Sequence, residues 1–132
     1  MNNYNKFDQV LRYSRQGQVA SAIELLKGLL ADEPNNAIYH GTLASCLLQQ
    51  SRLHAAEYEL KIAMQLAPNE PFLHCISARI YYLQNKPNEA LAACDNALQL
   101  EPGNVEVFEL KSDILIANKK YKEGFSYIQQ MA

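Results

Sequence analysis

Two histidines, His40 and His74, stand 34 residues apart, and Cys75 directly follows the second. Histidine beside cysteine raises two kinds of chemistry, metal ligation and attack by an activated thiol. A zinc site takes three or four ligands, and no Cys or Asp spacing near either histidine supplies them. Neighbours on a helix point about 100° apart, so His74 does not face the Cys75 thiol as a base would. No third group is placed to orient such a pair. The equivalent placement of His40 and His74 predicts instead that both rings fill packing gaps, while His54 reads as a solvated residue at a helix start. No catalytic residue, metal ligand or cofactor site is expected, and no GxxxxGK[ST] phosphate loop is present. The basic run "NKKYKEG" (118–124) has three lysines and one aromatic, which reads as a solvated turn rather than a stacking platform for nucleic acid.

One further cluster of charge stands out. Glu106, Glu109 and Asp113 are spaced i, i+3, i+7, so on a helix they share one face. That stripe suits recognition of a basic group, or is simply a solvated helix face.

The elements that would position these residues follow from the bulk of the chain. It has 132 residues, enough for one domain with a core, with 48% hydrophobic and 20% charged residues. The formal charge is −2, and residues 1–70 and 71–132 each carry six basic and seven acidic side chains. Neither half offers the electrostatic footprint of a nucleic-acid binder or a polybasic membrane patch. Cys46, Cys75 and Cys94 are odd in number and lie far apart, which argues against a disulfide framework and for reduced thiols in the cytoplasm. The start "MNNYNKFDQVLRYSRQG" lacks the apolar run of a signal peptide. No stretch approaches the roughly 20 apolar residues of a membrane span.

Shifted by 34 residues, the chain overlays itself. Pro34, Pro68 and Pro102 fall in register, as do Ala22, Ala56, Ala90 and Gly124. Further columns are Tyr13, Leu47, Tyr81 and Leu115; Leu26, Leu60, Cys94 and Ile128; and Leu29, Ala63, Ala97 and Met131. Within a unit, "AIYHGTLASCLLQQ" (37–50) places Leu43, Ala44, Leu47 and Leu48 on one helical face. "SRLHAAEYELKIAMQLAP" (51–68) does so with Leu53, Ala56, Leu60, Ala63 and Met64. A break near Ser51–Arg52 makes the two an antiparallel hairpin. Proline closes each unit, because the residue before it is driven out of the α region. Pro71 fits the first turn of the next helix. The small residues let helix backbones approach closely.

A 34-residue, two-helix unit with these columns resembles the tetratricopeptide repeat, TPR. The resemblance implies an all-α, right-handed superhelix of three and a half to four repeats and roughly eight antiparallel helices. It places units at 3–36, 37–70, 71–104 and an incomplete 105–132, forming a single domain over 1–132. Departures are Lys6 and Gln9 at apolar positions, His40, His74 and Phe108 in the large aromatic slot, and Gly124 in the alanine column. The resemblance also implies that the first helix of each unit lines a concave groove. The groove positions are then Tyr4, Phe7 and Leu11; Ile38, Gly41, Ser45 and Leu48; Phe72, Cys75, Arg79, Tyr82 and Leu83; and Glu106, Glu109, Asp113 and Ile116.

A groove apolar at one end and acidic at the other suits an amphipathic helix or extended peptide with a basic end. The expected function is therefore non-catalytic: an adaptor or scaffold that binds a protein or peptide, without nucleic acid. Some relatives grip the acidic C-terminal tails of heat-shock chaperones with Lys, Asn, Asn, Lys and Arg. The matching positions here are Phe7, Leu11, Thr42, Phe72 and Ile76, or one unit on Gly41, Ser45, Ile76, Glu106 and Leu110. Neither set neutralises two carboxylates, so that ligand is not expected. An alternative is a dedicated secretion chaperone, since "GTLASCLLQQ" and "NEPFLHCISARIYYLQNKPNEA" are loosely similar to type III translocator chaperones. Another is a regulatory arm of a larger protein. The final "FSYIQQMA" brings Phe125, Tyr127, Ile128 and Met131 to the end of the last helix without the polar cap usual in such arrays. Self-association as a homodimer, a longer chain, or a covering partner would each account for it.

Overall fold

The computed structural model describes the backbone of residues 2–131 and the side chains of 2–119 and 129. Seven helices follow one another: α1 (Asn3–Arg15), α2 (Val19–Asp32), α3 (Ala37–Gln49), α4 (Leu53–Leu66), α5 (Pro71–Leu83), α6 (Pro87–Leu100) and α7 (Val105–Met131). No strand occurs among the described residues. The first six form three hairpins, α1–α2, α3–α4 and α5–α6.

Each joint of the array repeats chemically as well as in sequence. The Asn2 and Asn36 side chains accept hydrogen bonds from the Asn5 and Tyr39 amides at 2.8 and 3.1 Å, and Asn104 accepts from Val107 at 3.1 Å. These asparagines satisfy an otherwise orphaned first-turn amide. Among the first helices, the start without a capping side chain is Glu70, where Pro71 occupies the first helical turn and removes a donor that would need a partner. Inside the hairpins, the chain reverses through left-handed residues at the same interval: Gly17 (φ 77°), Ser51 (φ 59°) and Asn85 (φ 62°). At the far end of each second helix, Glu33, Ala67 and Glu101 have left the α region, as residues before proline are driven to do.

The histidines have a more specific task than filling gaps. His40 Nε2 lies 2.7 Å from the Pro34 carbonyl, and His74 Nε2 lies 2.8 Å from the Pro68 carbonyl. Each ring ties the body of a first helix back to the proline that precedes it. His40 also places Nδ1 2.8 Å from Glu59 Oε2, across the hairpin on α4.

The recurring small residues form the core. Ala22, Ala56 and Ala90 are fully buried, as are Leu26, Leu29, Ala63, Cys94 and Ala97, with Leu60 close behind. The core runs without a break from α1 to α5, and a second cluster joins α5, α6 and α7. First helices α3 and α5 also touch directly. Gly41 makes this contact possible: a Cβ there would collide with the Leu73 side chain and come within 3.1 Å of the Phe72 ring.

The last unit differs from expectation. Instead of a fourth hairpin, α7 runs as one helix of 27 residues, so seven helices are found where about eight were expected, giving three and a half repeats. Lys119 occupies the turn position that Gly17, Ser51 and Asn85 hold in the other units. A long L side chain is disfavoured in the left-handed conformation, and lysine is a good helix former. The helix therefore continues through it. The side chains of Phe125, Tyr127, Ile128 and Met131 lie outside the described residues.

Candidate binding groove

The first helices α3, α5 and α7 lie side by side, and their outward positions share a face. Five of the expected groove residues, Ser45, Leu48, Arg79, Tyr82 and Leu83, line one open cleft of about 300 Å³. Gln49 and Leu110 complete it. Gln49 was legible in principle, because it stands one repeat before Leu83. Leu110 was not: its counterparts Thr42 and Ile76 are buried. Leu110 is half-exposed because no further hairpin among the described residues packs behind α7.

Leu48, Tyr82, Leu83 and Leu110 give the cleft an apolar lining, and Arg79 is its charged residue. Tyr82 is 43% and Leu83 59% exposed, so apolar side chains face solvent here. Arg79 pairs across α5 and α7 with Glu106. One member of the acidic stripe is therefore engaged within the chain, and Glu109 and Asp113 are left as exposed carboxylates on the same helix. A second bridge, Lys111 to Asp95 at 2.7 Å, holds α7 against α6. Ile116 is exposed further along α7.

Other expected positions lie apart from the cleft lining. Cys75 is a core residue, 5% exposed, because it sits where α5 packs against its neighbours. Burial pushes its thiol pKa up, the nearby Arg79 draws it down and Glu106 raises it. Phe7 is half-buried and packs on Tyr39, with ring centroids 5.2 Å apart, while Leu11 and Ile38 are half-buried. Tyr4 is exposed on α1, and Phe72 is partly exposed where it lies across Gly41. Among the described residues, no three His, Cys, Asp or Glu side chains cluster as metal ligands, and no helix is long and apolar enough to cross a membrane.

Helical hairpins stacked at a fixed interval, with the first helices α3 and α5 in direct contact, define a repeat solenoid. The chain carries tetratricopeptide repeats: residues 7–71 match the family's sequence model, and TPR domains are among the solved structures that share its fold. The first TPR domain of human RPAP3 is 20% identical, with a TM-score of 0.77 over 89% of this chain and 93% of that one. The first TPR of Spaghetti (RPAP3), bound to the HSP90 peptide SRMEEVD, is 21% identical, with a TM-score of 0.74 over 88% and 92%. The type III secretion translocator chaperone SycD of Yersinia enterocolitica is 17% identical, with a TM-score of 0.72 over 91% and 85%. No curated protein matches the chain in sequence at a significant level.

Proposed function

We propose that the chain is a non-catalytic protein-interaction module that binds an amphipathic helix or extended peptide in the groove of α3, α5 and α7. The observation that carries this reading is the open cleft of Ser45, Leu48, Arg79, Tyr82, Leu83 and Leu110, with Glu109 and Asp113 nearby on α7. Apolar side chains of the ligand would seat on Tyr82, Leu83 and Leu48, giving most of the affinity. A basic end would face Glu109 and Asp113, which set orientation and association rate more than affinity.

The relatives that hold acidic chaperone peptides share the fold, but the chemistry here favours another ligand. Arg79 is the groove's cation and already pairs with Glu106. Thr42 and Ile76, at two of the five clamp positions, are buried, and the other three are Phe7, Leu11 and Phe72.

The test is affinity capture with the wild-type chain and with Glu106→Lys, Glu109→Lys and Asp113→Lys combined. The wild type should retain a segment with apolar anchors and a basic end, and the triple reversal should lose it. Leu83→Ala and Tyr82→Ala should weaken the same ligand. Equal retention by the reversed chain sinks the acidic-end reading, and equal retention by the apolar variants sinks the groove itself. A second reading, a secretion chaperone, is favoured by the likeness to SycD over 91% of the chain. Genes for secretion components beside this one, and a translocator-like segment as the captured ligand, would select it.

A further inference from the structure

The groove of α3, α5 and α7 uses one face of α5. The other face, at Ser77, Ile80, Tyr81 and Gln84, borders a second open cleft of about 520 Å³ against α4. The two clefts share no lining residue. Leu60, Met64, Ile80 and Tyr81 give the second cleft an apolar middle. Among the described residues, α4 against α5 is the least closely packed of the three joints between successive units. The repeat register gives the reason. Ser77 has Leu43 as its counterpart on α3 and Lys111 on α7. Leu43 is 7% exposed, and Lys111 reaches Asp95 on α6. A serine brings neither the bulk of the one nor the charge of the other.

The same register isolates a cation. Lys61 lines the cleft, and its counterparts are Lys27 and Asp95. Lys27 pairs with Glu24 at 3.4 Å, and Asp95 pairs with Lys111 at 2.7 Å. Tyr58 stands in the column of Glu24 and Ser77 in that of Lys111, so Lys61 has no carboxylate partner among the described residues. Glu57, one turn before it, is held across the cleft by the Gln84 side-chain amide. The cleft is therefore polar at both ends and differently so. Glu57 and Gln84 close one end on each other. Lys61, Gln65 and Ser77 stand toward the other, and the Gln65 amide and Ser77 hydroxyl have no hydrogen-bond partner among the described residues.

We propose that this cleft is a second docking site, for an extended segment of a partner protein that carries a leucine-sized apolar side chain a few residues from an Asp or Glu. The apolar side chain seats over Leu60, Met64 and Ile80, beside Ser77, in the place that Leu43 holds at the first joint. The carboxylate pairs with Lys61, and Gln65 and Ser77 bond the segment's backbone. Residues 57–65 of α4 span about 12 Å along the helix, the length of three or four extended residues. The other two joints thus supply from within the chain what this one receives from outside. This inference does not rest on what the groove binds.

The experiment selects displayed random peptides on the immobilised full chain and measures the enriched ones by fluorescence anisotropy against variants. One enriched class should carry an aliphatic, Met or Phe residue close to an Asp or Glu. Ser77→Leu, which copies the first joint, should weaken that class at least about tenfold without lowering the thermal midpoint. Lys61→Glu should weaken it about tenfold, and exchanging the peptide's acidic residue for lysine should restore binding to that variant. Leu83→Ala, in the groove, should leave this class unchanged. Should Ser77→Leu fail to fold, the charge exchange at Lys61 decides alone. A selection that yields no peptide sensitive to Ser77→Leu or to Lys61→Glu overturns the proposal. So does a sensitive class that is basic rather than acidic, or one that is lost equally with Leu83→Ala.

Discussion

At the scale of single residues, the thiols are the most environment-dependent groups. Burial pushes the Cys94 pKa from its ordinary 9.0 to about 11, with Cys75 and Asp95 adding to the rise and Lys111 opposing it. The folded chain therefore holds this proton more tightly than the unfolded one. The stability this provides is complete below pH 9 and is lost as pH rises through about 11. Denaturation midpoints should fall across that window, and Cys94→Val should flatten part of the fall. Cys46 and Cys75 shift the same way through burial, so all three thiols should alkylate slowly in the native chain and quickly in denaturant. At the helix starts, Asn36→Ala should cost about 1 kcal/mol, read as a lower thermal midpoint. The sequence conveyed residue type and interval at this scale, but not always environment. Cys75 sits at a groove interval and is nevertheless core, because α5 packs against neighbours on more than one side. The histidine bonds to Pro34 and Pro68 depend on three-dimensional reach that no spacing reveals.

At the scale of elements, the hairpins were legible because proline, small residues and apolar faces all recur at one interval. Three independent signals agreed on the same boundaries. The last helix was not legible in this way. Its columns continue into Gly124, Ile128 and Met131, which argued for a further hairpin, while the local sequence around Lys119 favours an unbroken helix. Local preference prevailed where the turn residue was missing. The same physics makes the existing turns sensitive to substitution. Asn85→Val should destabilise the third hairpin by about 1–2 kcal/mol, since a β-branched residue tolerates the left-handed conformation poorly. Asn85→Gly should be close to neutral. Urea titrations of the two variants side by side check this directly.

At the scale of the whole molecule, each hairpin contacts chiefly its sequence neighbours, so stability is a sum of local and nearest-neighbour contributions. Hydrogen exchange should be slowest in α3, α4 and α5, which have packed neighbours on both sides. It should be faster in α1, which packs on one side only, with protection spread over a range rather than uniform. Curvature enters through one contact described above, the passage of α5 over Gly41. Gly41 is a spacer of zero thickness between α3 and α5, so the spacing of these two helices, and with it the winding of the array, should respond to its size. Gly41→Ala would wedge them apart by part of a methyl group, at a cost of about 1–3 kcal/mol, unless Leu73 and Phe72 swing aside. Small-angle scattering should then show a longer, less curved particle. The radius of the inner surface is thus adjustable at a single position. A chain of this kind can be fitted to a thicker or thinner ligand by altering its winding, with every residue that touches the ligand left as it is.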